Sequence, residues 1–147
     1  MVSAALRLPY RFLPDVALAD VAYEAKSDSA SGLFRSCAEA MTDVMVDRKT
    51  VGKRITKTIS LSSVDLDRLL YDFLTELIFV KDVDSLLFSQ FEVEVSSDGT
   101  SLKATAKGEE IDREKHALRN DVKAVTMHMF GVRHEGKTWK STVVLDI

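Results

Sequence analysis

Between Leu66 and Ile78 the apolar residues are Leu66, Leu69, Leu70, Phe73, Leu74, Leu77 and Ile78, at the three- and four-residue spacing that draws one continuous stripe along an α-helix. A stripe that wide has to be covered along its whole length, so the rest of the chain must supply a sheet or another helix to lie against it. Asp65, Asp67, Asp72 and Glu76 fall off the stripe and read as its solvated side. Ser62-Ser63-Val64-Asp65, just ahead, reads as a cap in which a serine oxygen accepts from a free first-turn amide. The helix is predicted to run to about Val80.

An earlier stretch repeats the pattern. Leu33, Phe34, Cys37, Met41, Val44 and Met45 recur at helical spacing, with Arg35, Glu39 and Asp43 between them. Cys37 is the only cysteine and sits on the core-facing stripe, with no histidine or cation at helical spacing to activate a thiolate. It can form neither an internal disulfide nor a cysteine-rich zinc site, so a reducing, cytoplasmic setting is expected.

The remaining regular segments read as strands. From Asp20 to Lys26, Val21, Tyr23 and Ala25 alternate with Ala22, Glu24 and Lys26, until the serines at 27, 29 and 31 break the run. From Arg54 to Leu61, Ile55, Ile59 and Leu61 share a parity that Lys57 interrupts, which predicts an edge strand. Phe91, Val93 and Val95 alternate with glutamates, Asp98-Gly99 signals a turn, and Leu102, Ala104 and Ala106 complete a hairpin. After a polar segment from Gly108 to Asn120, residues Asp121 to Arg133 and Thr138 to Ile147 flank His134-Glu135-Gly136-Lys137 as a second hairpin. Pro9 and Pro14 are placed before the first regular element. The whole, residues 1–147, is expected to form one α+β domain in which mostly antiparallel β-sheet packs with two long α-helices.

Several function classes are disfavoured. A formal net charge of -3 lacks the basic footprint that phosphate neutralisation requires, so RNA would be reached only indirectly, through a protein partner. Arg7, Pro9 and Arg11 interrupt the first residues, and no later stretch approaches the roughly 20 apolar residues of a membrane span, so neither secretion nor membrane insertion is indicated. His116 and His128, with Asp121 as an orienter, suggest a general base, but no serine or cysteine elbow, glycine-rich phosphate loop or zinc spacing accompanies them.

The terminal strand divides by parity into Trp139, Ser141, Val143, Leu145 and Ile147 on one face and Lys140, Thr142, Val144 and Asp146 on the other. Asp146 beside the terminal carboxylate could offer a hard cation several oxygens, with Asp15, Asp20 or Asp28 as distant candidates to complete the set.

The run from Lys115-His116 through Asp121-Val122-Lys123-Ala124-Val125-Thr126-Met127-His128 to Val144-Leu145-Asp146-Ile147 resembles the archease family, as do Leu69 to Leu77 and Gly108-Glu109-Glu110. The likeness covers nearly the whole chain, in order, and implies an archease-like fold. Counting back from Leu33-Phe34 places Asp20 on the family aspartate, which the resemblance pairs with Asp146 and the Ile147 carboxylate as ligands of a divalent metal (calcium, magnesium or manganese). The family histidine of the same element is replaced by Ala17, and Lys123 matches a lysine associated with activity, here an accessory catalytic group. The family implies a protein that is not itself an enzyme but an activator of the RtcB-type RNA ligase, promoting GTP-dependent guanylylation of the ligase and repeated turnover in tRNA splicing or RNA repair. A chaperone-like protein-binding module without metal chemistry is the alternative.

Overall fold

The structure, a computed structural model, describes residues 9–14 and 20–147. The two amphipathic stripes form helices α1 (Ala30–Met45) and α2 (Leu66–Asp84). The strands are β1 (Tyr10–Phe12), β2 (Val21–Ser27), β3 (Ile55–Ser62), β4 (Leu86–Val95), β5 (Ser101–Glu110), β6 (Ala124–Val125), β7 (Gly131–Glu135) and β8 (Thr138–Asp146), with a 3-10 turn at Arg48–Thr50. All registered pairings are antiparallel and make two sheets, β1-β2-β8-β6 with β7 also on β8, and β3-β5-β4.

The helical stripes explain how the sheets are joined. α1 packs against β4 of one sheet and β2 and β8 of the other, while α2 leans on α1 and touches strands of both. Phe34 and Phe73 stack across the helix pair with centroids 6.2 Å apart, and Leu33, Met41, Leu69, Leu70 and Leu74 are wholly buried around them. Each such side chain contributes about 1.5–3 kcal/mol by leaving water. Tyr23, also fully buried, reaches across from β2 and donates its hydroxyl to the Cys37 carbonyl at 2.9 Å.

Several boundaries differ from the sequence expectation. The cap of α2 is Asp65, whose side chain accepts from the Arg68 N–H at 2.8 Å, while Ser63 instead donates to Asp72. A carboxylate at that position satisfies the free amide and the helix dipole together. α2 runs one turn past Val80, because the buried Lys81 finds acceptors in Asp121 and the Val122 carbonyl that keep the helix wound. Pro9 and Pro14 do not both precede the first strand. They bracket β1, where an edge position tolerates the missing donor and the Pro9 carbonyl still accepts from Lys26 at 2.7 Å.

β3 lies at a sheet edge, as Lys57 suggested, with that ammonium 3.5 Å from Asp84. β4 begins at Leu86, well before the predicted Phe91, and carries a bulge between Phe88 and Gln90 opposite Gly108. A Cβ on Gly108 would stand 1.9 Å from the Leu87 carbonyl oxygen, so only glycine admits that approach.

The expected strand from Asp121 to Arg133 is two short strands. β6 and β7 pair with the same edge of β8, and the chain leaves the ladder between them, with Met129 in the left-handed region at φ 57. Phe130 packs edge-on against Tyr71, which ties the excursion to α2, and the Val132 N–H donates to Asp67 where the ladder resumes in β7. β8 is thereby the central strand, buried from Ser141 to Leu145 without alternation. Glu24 and Arg133 reach over its outer face, where Arg133 also donates to Thr142.

Candidate carboxylate site at the sheet end

β2 and β8 run antiparallel with Tyr23 opposite Val143, Ala22 opposite Val144 and Val21 opposite Leu145. The next residues outward are Asp20 and Asp146, which leave the last registered pair side by side, both half-buried. Directly opposed residues of an antiparallel pair project to one face. The pleat that sets Ala22 and Val144 on the outer face, away from Tyr23 and the helices, carries on to Asp146, with Asp20 one residue beyond the last registered position of β2. Acids separated by most of the chain come to one sheet end because β2 and β8 are neighbours, a fact no local pattern carries.

On the other flank of β8, Ala124 stands opposite Asp146, and the Lys123 N–H donates to the Asp146 main-chain carbonyl at 2.8 Å. Lys123 is exposed and stands just ahead of β6, beside the fully buried Val122. The lysine stands at the same sheet end as the acids without being bonded to them through its side chain. Ile147, half-buried, follows Asp146 out of the ladder.

Among the described residues no three His, Cys, Asp or Glu side chains are gathered closely enough to hold a metal ion. Asp20 and Asp146 therefore amount to a two-carboxylate platform, and only a further oxygen such as that of the Ile147 carboxylate would raise the ligand count. The donor set is all oxygen, which suits hard cations. Asp15 and Ala17 lie outside the described residues. Asp28 stands at the opposite end of β2, beyond Ser27, and so is removed from the pair.

The remaining candidate groups are committed elsewhere. His116 is buried; its Nδ1 accepts from the Asp112 N–H at 2.9 Å, which leaves Nε2 to donate to Glu109 at 2.7 Å. Lys115 and the Gly52 N–H also donate to Glu109, at 2.9 and 2.8 Å. With His116 foremost, these donors hold the Glu109 carboxyl down at about 2. His128 is exposed in the excursion between β6 and β7, where its N–H donates to the Thr126 hydroxyl at 3.3 Å. Burial pushes the Cys37 thiol well above its ordinary range.

Sequence reasoning passed over Lys81. Its ammonium is 7% exposed and donates to Asp121 at 2.5 Å and to the Val122 carbonyl at 2.8 Å. The signal was available: Leu74, Leu77, Ile78 and Lys81 continue one helical stripe, and a lysine there must either end the helix or find acceptors.

These features describe an α+β domain whose two antiparallel sheets clasp a pair of helices and whose central strands present paired carboxylates at one end. The Archease protein family model matches residues 10–147, and the chain belongs to that family. It is 39% identical over 131 residues to the protein archease of Methanothermobacter thermautotrophicus, covering 88% of this chain and 93% of that one. It is 36% identical over 133 residues to the protein archease of Pyrococcus abyssi, with the same coverage. The solution structure of Methanobacterium thermoautotrophicum protein 1598 superposes with a TM-score of 0.82 at 36% identity, over 95% of this chain and 99% of that one. The crystal structure of a Thermotoga maritima archease, described as a possible chaperone, shares the fold with a TM-score of 0.64 at 16% identity, over 89% and 93% of the two chains.

Proposed function

We propose that this archease activates an RtcB-type RNA ligase, and that Asp20, Asp146 and the Ile147 carboxylate hold the divalent cation the activation uses. The observation that carries the reading is the β2–β8 register, which runs from Ser27 opposite Trp139 to Val21 opposite Leu145 and leaves Asp20 and Asp146 abreast.

A bound cation would supply positive charge where triphosphate oxygens gain negative charge as the partner ligase takes up guanylate from GTP. The protein's own residues do the rest. Asp20 and Asp146 present their oxygens from two adjacent backbones, and the Lys123 amide pins the end of β8 by holding the Asp146 carbonyl. The Lys123 ammonium, a compact charge on a flexible stem, offers a second contact for a phosphate brought by the partner. The net charge of -3 leaves RNA binding to the ligase.

The test measures guanylylation of the partner ligase with the intact chain, Asp20→Ala, Asp146→Ala, Lys123→Ala and a chain extended beyond Ile147. Loss of stimulation in the aspartate variants and the extended chain, with the fold retained, is expected. Undiminished stimulation by all of them overturns the reading. A chaperone-like module, in line with the Thermotoga maritima archease described as a possible chaperone, is the second reading; the exposed Phe79 and Val83 on α2 favour it. Such a module keeps its partner binding when Asp146 is replaced.

A further inference from the structure

Residues 119–123 form a strap between the helices and the sheet end, tied down by backbone bonds at both ends, by the Arg119 guanidinium on the Asp43 carbonyl at 2.8 Å, and by Lys81. The Arg119 and Asn120 N–H groups donate to the Met45 and Val44 carbonyls at the end of α1, at 2.7 and 3.0 Å. The Lys123 N–H donates to Asp146 at 2.8 Å. Between these anchors the strap is held by one side chain, Lys81 of α2, which takes the Val122 carbonyl at 2.8 Å and the Asp121 carboxylate at 2.5 Å.

The same ammonium forms an ion pair with Asp82, at 2.7 Å. Two of the three N–H donors are thus hydrogen-bonded to the strap, and Asp82 adds a second carboxylate beside the ammonium at the edge of a cavity of about 470 Å³. The cation stands in the last turn of α2, where the helix dipole also favours positive charge. Val122 is fully buried, so its carbonyl has no solvent to turn to once the ammonium is gone. Asp121 by contrast is largely exposed and can find water.

We propose that Lys81 is a positioning residue for the carboxylate site: by clamping Val122 and Asp121 it fixes where Lys123 meets β8, and through that bond it fixes the Asp146 backbone. This rests on the carboxylate reading above. The mechanism is geometric, because metal ligands lose affinity when the groups that orient them are freed. Lys81 touches neither the cation nor a substrate.

The experiment compares the full chain with K81M and D121N, using Asp65→Ala as a control that loosens the other end of α2. Backbone amide exchange is followed by NMR, and manganese binding by calorimetry. In K81M the Lys123 amide is expected to exchange faster by about tenfold, the equivalent of losing one hydrogen bond, while core amides of α2 such as Leu74 change far less. D121N moves the same amide in the same direction by a smaller factor, and remains informative should K81M not fold. Manganese affinity is expected to fall by about tenfold in K81M and to stay unchanged in Asp65→Ala. Lys123 protection equal to that of the intact chain in both variants overturns the proposal, as does a loosening no greater than the Asp65→Ala control shows. Absence of manganese binding by the intact chain overturns the carboxylate reading instead, and leaves the exchange result to decide whether Lys81 positions the strap.

Discussion

His116 Nε2 and Glu109 Oε1 are 2.7 Å apart in the interior, and the imidazole's other nitrogen accepts from the Asp112 N–H, so the ring donates to the carboxylate in a defined tautomer. This joins the end of β5 to the loop that leads into the strap. Glu109 is ionised down to about 2 in the folded protein, against 4.5 for the ordinary group. A depressed folded value means the native state releases this proton more readily than the unfolded one, so its contribution to stability is full above about 4.5 and disappears as pH falls towards 2. Melting temperature measured from pH 2 to 7 is expected to rise through that window in the natural chain. In Glu109→Gln the rise should be shallower and the plateau at neutral pH lower. An unchanged pH profile would remove Glu109 from the acid response.

Gly108→Ala drives a Cβ to 1.9 Å from the Leu87 carbonyl and 2.6 Å from the Phe88 Cα. Both neighbours are backbone and cannot rotate away, so the β4 bulge must open. A loss of about 2–3 kcal/mol is expected in urea unfolding, near the upper range for overpacked sites. Gly136→Ala, with nothing within 4 Å of its Cβ, meets no clash and loses only through its φ of 63, which places the main damage at position 108.

Asp65→Ala removes the accepting oxygen at the start of α2 and is expected to lower stability by about 1 kcal/mol. Ser62→Ala should leave chemical denaturation nearly unchanged, because that serine belongs to the exposed end of β3 and caps nothing. Equal losses from the two substitutions would restore the serine cap expected from sequence.

Cys37 is wholly buried, with a thiol pushed far up by desolvation. Labelling by a thiol-reactive disulfide reagent at neutral pH is therefore expected to proceed only as fast as the protein opens, and to accelerate steeply with urea. Rapid stoichiometric labelling of the native chain would contradict the packing of α1 on the sheet that contains β2 and β8.

Periodicity carried the two helices and the edge position of β3 because an amphipathic stripe and an interrupted alternation are local consequences of which face is covered. Their ends were harder to read. α2 continued past Val80 because Lys81 found acceptors forty residues downstream, and its cap went to Asp65 rather than a serine because both fit the same local pattern. The single long strand expected from Asp121 to Arg133 failed for a related reason: Tyr71, on another element, holds Phe130 in the excursion between β6 and β7, and Asp67 takes the Val132 N–H where the ladder resumes.

The candidate site divides in the same way. That Asp146 closes the last strand, and on which face it projects, follows from the pleat alone and was legible from the order of residues. That Asp20 stands beside it, and that a buried lysine from α2 ties down the segment touching it, depends on β2 having β8 as its neighbour and on a strap crossing from α1. Strand partnership is settled by the summed burial of two sheets around the helices, a property of the whole chain, and no window of neighbouring residues contains it.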